Sequence, residues 1–163
     1  MRKLVVYDSQ FGNTEQVARA IAAALGCLEE AGPLQVGAVK PEQLEGLDLL
    51  VVGSPTQRFN ATPAITNLLK ILPNNSLKGV QVAAFDTRFP QREIDKTPAL
   101  AFFARLWGRS AYAAKHIAVS LRRKGGEPIV PPEGFYVGGM EGPLLEGELD
   151  RAAQWGTKIL AAL

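Results

Sequence analysis

Short β-type runs alternate with helical patterns along almost the whole chain, and this alternation restricts the possible folds more than any other feature. It implies βαβ units, and hence a parallel sheet covered by helices on both faces. The first run is Lys3-Leu4-Val5-Val6-Tyr7. Behind it Val17, Ile21 and Leu25 recur every fourth residue, with Ala18 and Ala22 beside them, as one apolar helical stripe. Asn13 with Gln16 three residues later reads as a capping pair, and Gly26 as the stop. Residues 34–38 are a weak second strand and residues 48–53 a strong buried third one.

A second helix is expected from Thr62, a suitable N-cap. Pro63 suits its first turn, and Ile65, Leu68, Leu69 and Leu72 form one face until Pro73 ends it. Residues 80–85 form the fourth strand, and the polar stretch 86–98 has the look of a loop. A short helical piece is expected over 100–107. A firmer helix runs from Ser110, with Ala113, Ile117 and Leu121 on one face and Gly125-Gly126 as its stop. The fifth strand region, 128–137, contains Pro131-Pro132, which removes two amide donors, splits the strand and suits a sheet edge. Residues 138–147 are rich in turn formers. A closing helix over 148–163 should face inward with Leu149, Ala153, Gly156 and Leu160. No repeat or linker interrupts the pattern, so a single domain over 1–163 is the simplest organisation.

Composition narrows the chemistry. At 163 residues, with 47% apolar and 21% charged side chains, the chain is long and apolar enough to bury a core without cross-links. Cys27 is the one cysteine and His116 the one histidine. An intrachain disulfide and a metal cluster held by several cysteines or histidines are thereby excluded, and any Ser/His/Asp triad would have to centre on His116. His116 reads as a solvent-edge or satisfied helix histidine and Cys27, just after a helix-ending glycine, as an equally plain structural residue, so no catalytic residue and no metal ligand is assigned. The apolar run behind Met1-Arg2-Lys3 ends at Asp8, too short for a secretory signal, and nothing approaches a membrane span; a cytoplasmic location is expected. The net charge of +2 is close to neutral. Arg122-Arg123-Lys124 falls at an expected helix end, where it complements the helix dipole, so no nucleic-acid or membrane partner is assigned.

The chemistry-bearing segment is the link from the first strand to the first helix, Ser9-Gln10-Phe11-Gly12-Asn13-Thr14. A helix N-terminus offers unpaired amides and the positive end of the dipole, and Gly12 permits close approach of an anion to the backbone. Ser9 and Thr14 add hydroxyl donors. With no Lys or Arg in the loop, a phosphate here would be held by neutral donors and keep its charge.

From Val5 to Ile21 the chain resembles the flavodoxin signature: Val5-Val6-Tyr7, Ser9, Gly12, Thr14, Ala18 and Ile21 all occupy matching places. The resemblance implies a flavodoxin-like α/β fold, a doubly wound five-stranded parallel sheet of order 2-1-3-4-5 with helices on both faces and FMN at the switch point. It assigns the flavin phosphate to Ser9, Gln10, Phe11, Gly12, Asn13 and Thr14. Many flavodoxins carry hydroxyl residues where Gln10 and Phe11 stand, so fewer phosphate contacts are expected. The resemblance gives the ribityl chain and one ring face to the loop after the third strand, with Ser54, Pro55, Thr56, Arg58 and Phe59. It gives the other ring face and the pyrimidine edge to Asp86, Thr87, Arg88 and Phe89. Phe59 and Phe89 are stacking candidates, or else ordinary loop or dimer-contact aromatics. The stretch from Glu141 to Ala152 looks like one found in stand-alone flavodoxin-domain proteins of unassigned role.

By this resemblance the function is electron transfer with a redox partner protein. Arg58, Arg88 and Arg92 near the ring would stabilise an anionic reduced flavin, giving a less negative potential than in acidic flavodoxins. Two alternatives stay open. One is an FMN-dependent reductase or oxidase of a small oxidant such as a quinone, with a pocket formed by residues 89–108. The other is a non-catalytic α/β binding or regulatory module that has lost its flavin. The sequence also leaves open whether two chains pair as a homodimer. No G-x-G-x-x-G follows the first strand, no Walker A motif occurs, and the third strand ends in Gly53-Ser54 rather than a phosphoacceptor Asp.

Overall fold

The computed structural model describes residues 1–28, 32–90, 96–99, 101–102 and 112–163. Its strands are β1 (Lys3–Tyr7), β2 (Pro33–Gln35), β3 (Leu49–Pro55), β4 (Gln81–Arg88), β5 (Glu127–Pro128) and β6 (Glu133–Tyr136). Its helices are α1 (Asn13–Ala24), α2 (Pro63–Ile71), α3 (Ala113–Arg123) and α4 (Glu148–Ala162). All strand pairs are parallel, in the order β2-β1-β3-β4-β5, with β6 also beside β4.

β5 and β6 are the two halves of one edge strand broken at Pro131-Pro132, as the missing amides require. Pro128 is tolerated within it because the amides that reach β4 are those of Glu127 and Ile129, bonding Val80 O at 2.9 Å and Val82 O at 3.2 Å. The amide that proline lacks would have faced away from the sheet.

Period-two alternation divides the side chains between two apolar layers. Leu4 and Val6, Leu50 and Val52, and Val82 and Ala84 face α2 and α3. Val5 and Tyr7, Leu49 and Val51, and Ala83 and Phe85 face α1 and α4. On the second side Phe85, Phe135 and Trp155 meet edge to face, with centroids 6.1–6.2 Å apart. Phe85 lies directly over Gly53, where a Cβ would come within 2.0 Å of its ring.

Several expectations hold to the residue. β1 has the expected bounds, Thr62 caps α2 by accepting from Ile65 N, and the stripes of α1, α2 and α3 are buried. His116 is exposed, and Cys27 is buried.

Others are corrected. Only residues 33–35 of the second strand pair with β1, and Val36–Ala38 turn as a 3-10 helix. Leu149 and Leu160 are exposed; the inward face of α4 is Ala152, Trp155, Gly156 and Ile159, because the large indole takes the core position. Gly156 packs against α1, where a Cβ would meet Ala24 Cβ at 2.8 Å. β4 runs to Arg88 rather than Phe85, since β6 continues the ladder from Phe85 to Arg88. Of the piece expected over 100–107, Ala101 and Phe102 are helical with Pro98 and Ala99, and residues 100 and 103–107 lie outside the described residues. So do the start of the third expected helix at Ser110 and the position Arg92.

Candidate functional site

β2 lies on one side of β1 and β3 on the other, so the chain reverses its direction of travel across the sheet at β1. A crevice opens at such a point beyond the carboxyl ends of the strands. The segment leaving β1 enters it. Ser9 N donates to Asp8 Oδ1 at 2.9 Å, and Gly12 N donates to Ser9 Oγ at 3.0 Å, which coils the loop and leaves the Ser9 hydroxyl proton unassigned.

The expected Asn13 cap is corrected. Gly12 is the N-cap of α1, with φ 87° in the left-handed region that glycine adopts without strain, and no side chain caps the helix. The first intrahelical acceptor is Gly12 O, which takes Gln16 N at 3.1 Å. The amides of the first turn therefore project from the helix end with no side chain to satisfy them.

Asn13 is instead a tether. Its Nδ2 donates to Glu141 O at 3.1 Å, and Gly142 packs so closely that a Cβ there would reach Asn13 Oδ1 at 2.5 Å. This fastens the 137–145 turn against the loop and brings Val137 and Met140 to the cleft wall. Sequence reasoning missed both residues. The one signal was the cluster of glycines at 138, 139 and 142, which marked a turn but not its destination.

The cleft is lined by Ser9, Gln10, Phe11, Asn13 and Thr14 on one side. Pro55, Thr56, Gln57, Thr87, Arg88 and Phe89 line the other. Gln57, in the loop expected here though not singled out within it, donates to Gln10 Oε1 at 3.1 Å and links the two walls. Thr14 Oγ1 and Thr87 Oγ1 are 2.9 Å apart on the floor, both buried, because position 87 lies on the α1 side of β4. A hydroxyl pair uses one proton internally, which leaves one for the cleft. The cleft encloses about 120 Å³. That is below the roughly 300–1,000 Å³ of closed ligand pockets, so a ring system would lie along the rim rather than inside.

Other expected site residues have their side chains engaged elsewhere. Even-numbered positions at the ends of β3 and β4 face α2 and α3, which turns Ser54 and Asp86 away from the cleft. Ser54 Oγ accepts from Thr62 N at 3.0 Å and donates to Pro55 O at 2.9 Å, binding the start of α2 to β3. Thr56 Oγ1 accepts from Ala113 N at 3.3 Å and Asp86 Oδ2 accepts from Ala114 N at 2.8 Å, so the two side chains together cap α3. Burial pushes the Asp86 carboxyl above the usual carboxylate range, and the Arg88 guanidinium, the Ala114 amide and the Thr56 hydroxyl pull it back.

Arg88 is held by Asp86 at 2.5 and 2.8 Å and stacks over the Tyr112 ring at 3.8 Å. Its charge is thus neutralised beside the cleft rather than offered to it, which corrects the expectation that it acts as a ring-edge cation. Arg58 and Phe59 do not line the cleft. They form the tip of a tight turn closed by reciprocal bonds between Gln57 and Asn60 at 2.8 and 2.9 Å. Both tip residues have positive φ, 47° and 64°, an arrangement that ordinarily selects Asn-Gly.

Among the described residues no group of three metal-ligating side chains converges, and no helix is long and apolar enough to cross a membrane.

Comparison with known proteins agrees with this geometry. A family model described as a flavodoxin domain matches residues 4–93, which span β1 to the end of β4. A flavodoxin from the domain Archaea superposes with a TM-score of 0.74 at 21% identity, covering 99% of this chain and 97% of that one. Flavodoxin 1 from Bacillus cereus superposes with a TM-score of 0.71 at 18% identity, covering 99% of each chain. The rubredoxin oxygen:oxidoreductase of Desulfovibrio gigas matches with a TM-score of 0.69 at 18% identity, over 99% of this chain and 36% of that protein. These likenesses are to the fold. No curated protein matches the chain in sequence. With its family model covering more than half of the 163 residues and its sheet in the order 2-1-3-4-5, the chain belongs to the flavodoxin family.

Proposed function

We propose that this chain is a single-domain FMN protein that transfers electrons. The observation carrying this reading is the uncapped first turn of α1. Its amides point into the crevice at the switch point, with the Ser9 hydroxyl beside them and no basic side chain in the loop. This donor set suits a phosphate monoester, whose oxygens only accept, and the dipole of α1 favours its charge. Ser9, Gly12 and Thr14 would hold the phosphate, Thr56 and Thr87 would border the ribityl chain, and Phe11 and Phe89 would flank the ring.

Bound there, FMN would supply one- and two-electron redox chemistry, and the protein's part is orientation, exposure and charge. The shallow cleft leaves the ring edge open to a partner. Asp86 cancels Arg88, so no mobile cation from β4 faces that edge, and of the cations expected near the ring only Arg58 remains among the described residues, at the tip of a turn outside the cleft. Asn13 and Gln57 hold the neighbouring segments in place through Glu141 O and Gln10 Oε1.

The test is the visible spectrum of the purified chain before and after addition of FMN, followed by anaerobic reduction. Uptake of the flavin, with fast electron exchange to a protein acceptor and no steady turnover of NAD(P)H with quinones, supports the carrier. A colourless protein that takes up no FMN refutes the reading, and sustained quinone turnover replaces the carrier by a reductase.

A further inference from the structure

The charges of this chain are unevenly placed. It has 18 Lys and Arg against 16 Asp and Glu, yet α2 and α3 contain no acidic residue. α1 and α4, on the opposite face of the sheet, are balanced, with Glu15, Glu148 and Asp150 against Arg19, Arg151 and Lys158. Between α2 and α3 runs an open groove of about 410 Å³ whose walls present Lys70, His116 and Arg123 with Thr66 and Ser120, and no carboxylate. Lys70 and Arg123 are exposed and have no acidic partner among the described residues. Lys124 closes the lower end, donating to Leu72 O at 2.6 Å and Lys70 O at 3.4 Å; these carbonyls fix its position and leave its charge uncancelled. The upper end is Asn60, the last residue of the tight turn whose first residue, Gln57, lines the cleft.

We propose that the α2–α3 groove is the docking surface for an acidic partner protein. This rests on the reading of the cleft as a flavin site, because a partner seated here would reach Gln57 and the rim of the cleft. The choice of a protein over a nucleic acid follows from the groove's make-up. Its floor is apolar, with Leu69 and Ile117, and its cations stand at the rim, the arrangement of a protein interface with a dry centre and a charged edge. α3, at eleven residues, is only about 16 Å long, a patch for one protein contact rather than a track for a phosphate backbone. The net charge of +2 does not give the broad field that holds polyanions without regard to shape. The basic face would instead orient an acidic surface during encounter, leaving the cleft side of the molecule toward it.

The probe is a fluorescein-labelled glutamate-rich peptide, titrated into the wild-type chain and the variant K70E/R123E, each with and without added FMN. A thymidine oligonucleotide of equal charge and phosphatidylcholine vesicles containing phosphatidylserine are titrated in parallel. Both substituted side chains are exposed, and a thermal melt of the variant checks its fold. The peptide should bind the wild type and weaken about tenfold as added salt shortens the screening length from about 30 to about 10 Å. It should weaken by about tenfold again in K70E/R123E, and amide NMR shifts should map to Thr66 and Ser120. Unchanged affinity in the variant, or tighter binding of the oligonucleotide or the vesicles, overturns the proposal. Peptide binding without FMN uptake refutes only the flavin reading, whereas FMN uptake without peptide binding refutes only the docking surface.

Discussion

Replacing Ser9 by alanine separates a ligand-facing hydroxyl from a structural one. Ser9 Oγ already accepts from Gly12 N at 3.0 Å, so its proton is the part left for a phosphate oxygen. A hydrogen bond to a charged group contributes about 1.5–3 kcal/mol, and each 1.4 kcal/mol is tenfold in affinity; Ser9→Ala should therefore weaken FMN binding by about 10- to 150-fold. Riboflavin, which lacks the phosphate, should be indifferent to the change. The Gly12 amide is left to water near the surface, so stability should fall by only about 1 kcal/mol. Ser54→Ala is the contrasting variant, because both bonds of that buried hydroxyl go to the protein's own backbone, at Thr62 N and Pro55 O. It should lower stability by about 1–3 kcal/mol and leave FMN affinity within about twofold of wild type. Flavin fluorescence quenching reads the affinities and urea denaturation the stabilities. Ser9→Ala binding FMN as tightly as the wild type, or losing riboflavin equally, would refute the assignment.

Two further outcomes follow from backbone geometry. Gly53→Ala places a Cβ 2.0 Å from the Phe85 ring, which Phe135 and Trp155 hold edge-on. It should cost about 3 kcal/mol in urea denaturation and be partly rescued by Phe85→Leu; a cost under about 0.5 kcal/mol contradicts the packing described. Arg58→Asn with Phe59→Gly fits the tight turn with the residues its positive φ angles favour. The pair should raise the urea midpoint by an amount worth about 1–2 kcal/mol, and a loss of stability would show that the tip side chains contribute more than the strain they impose.

Much of the fold was legible because boundary chemistry and periodicity agreed. Thr62-Pro63 marked the start of α2, Gly26 and Gly125 marked helix ends, and Pro131-Pro132 marked the broken edge strand. The loop at Ser9 to Thr14 was legible because its position between strand and helix already defines an anion site. What escaped was the direction of side chains. Asp86 and Arg88 are polar, which locally resembles a loop, yet the ladder between β4 and β6 continues through them. Strand alternation then sends Asp86 toward α3 as a cap. Ser54 followed the same parity toward α2. Val137 and Met140 reach the cleft through a turn whose destination depends on a tertiary contact, the Asn13 tether to Glu141, and no local pattern encodes that. In α4 an alternative stripe of leucines concealed the true face, which the bulk of Trp155 decides.

The most direct test of the central claim is a paired titration of the wild-type chain with FMN and with riboflavin under the same conditions. If the open first turn of α1 and the Ser9 hydroxyl grip a phosphate, FMN binds at least about tenfold more tightly than riboflavin, the contribution of one or more charge-assisted hydrogen bonds. Equal affinity for the two flavins, or none for either, contradicts it.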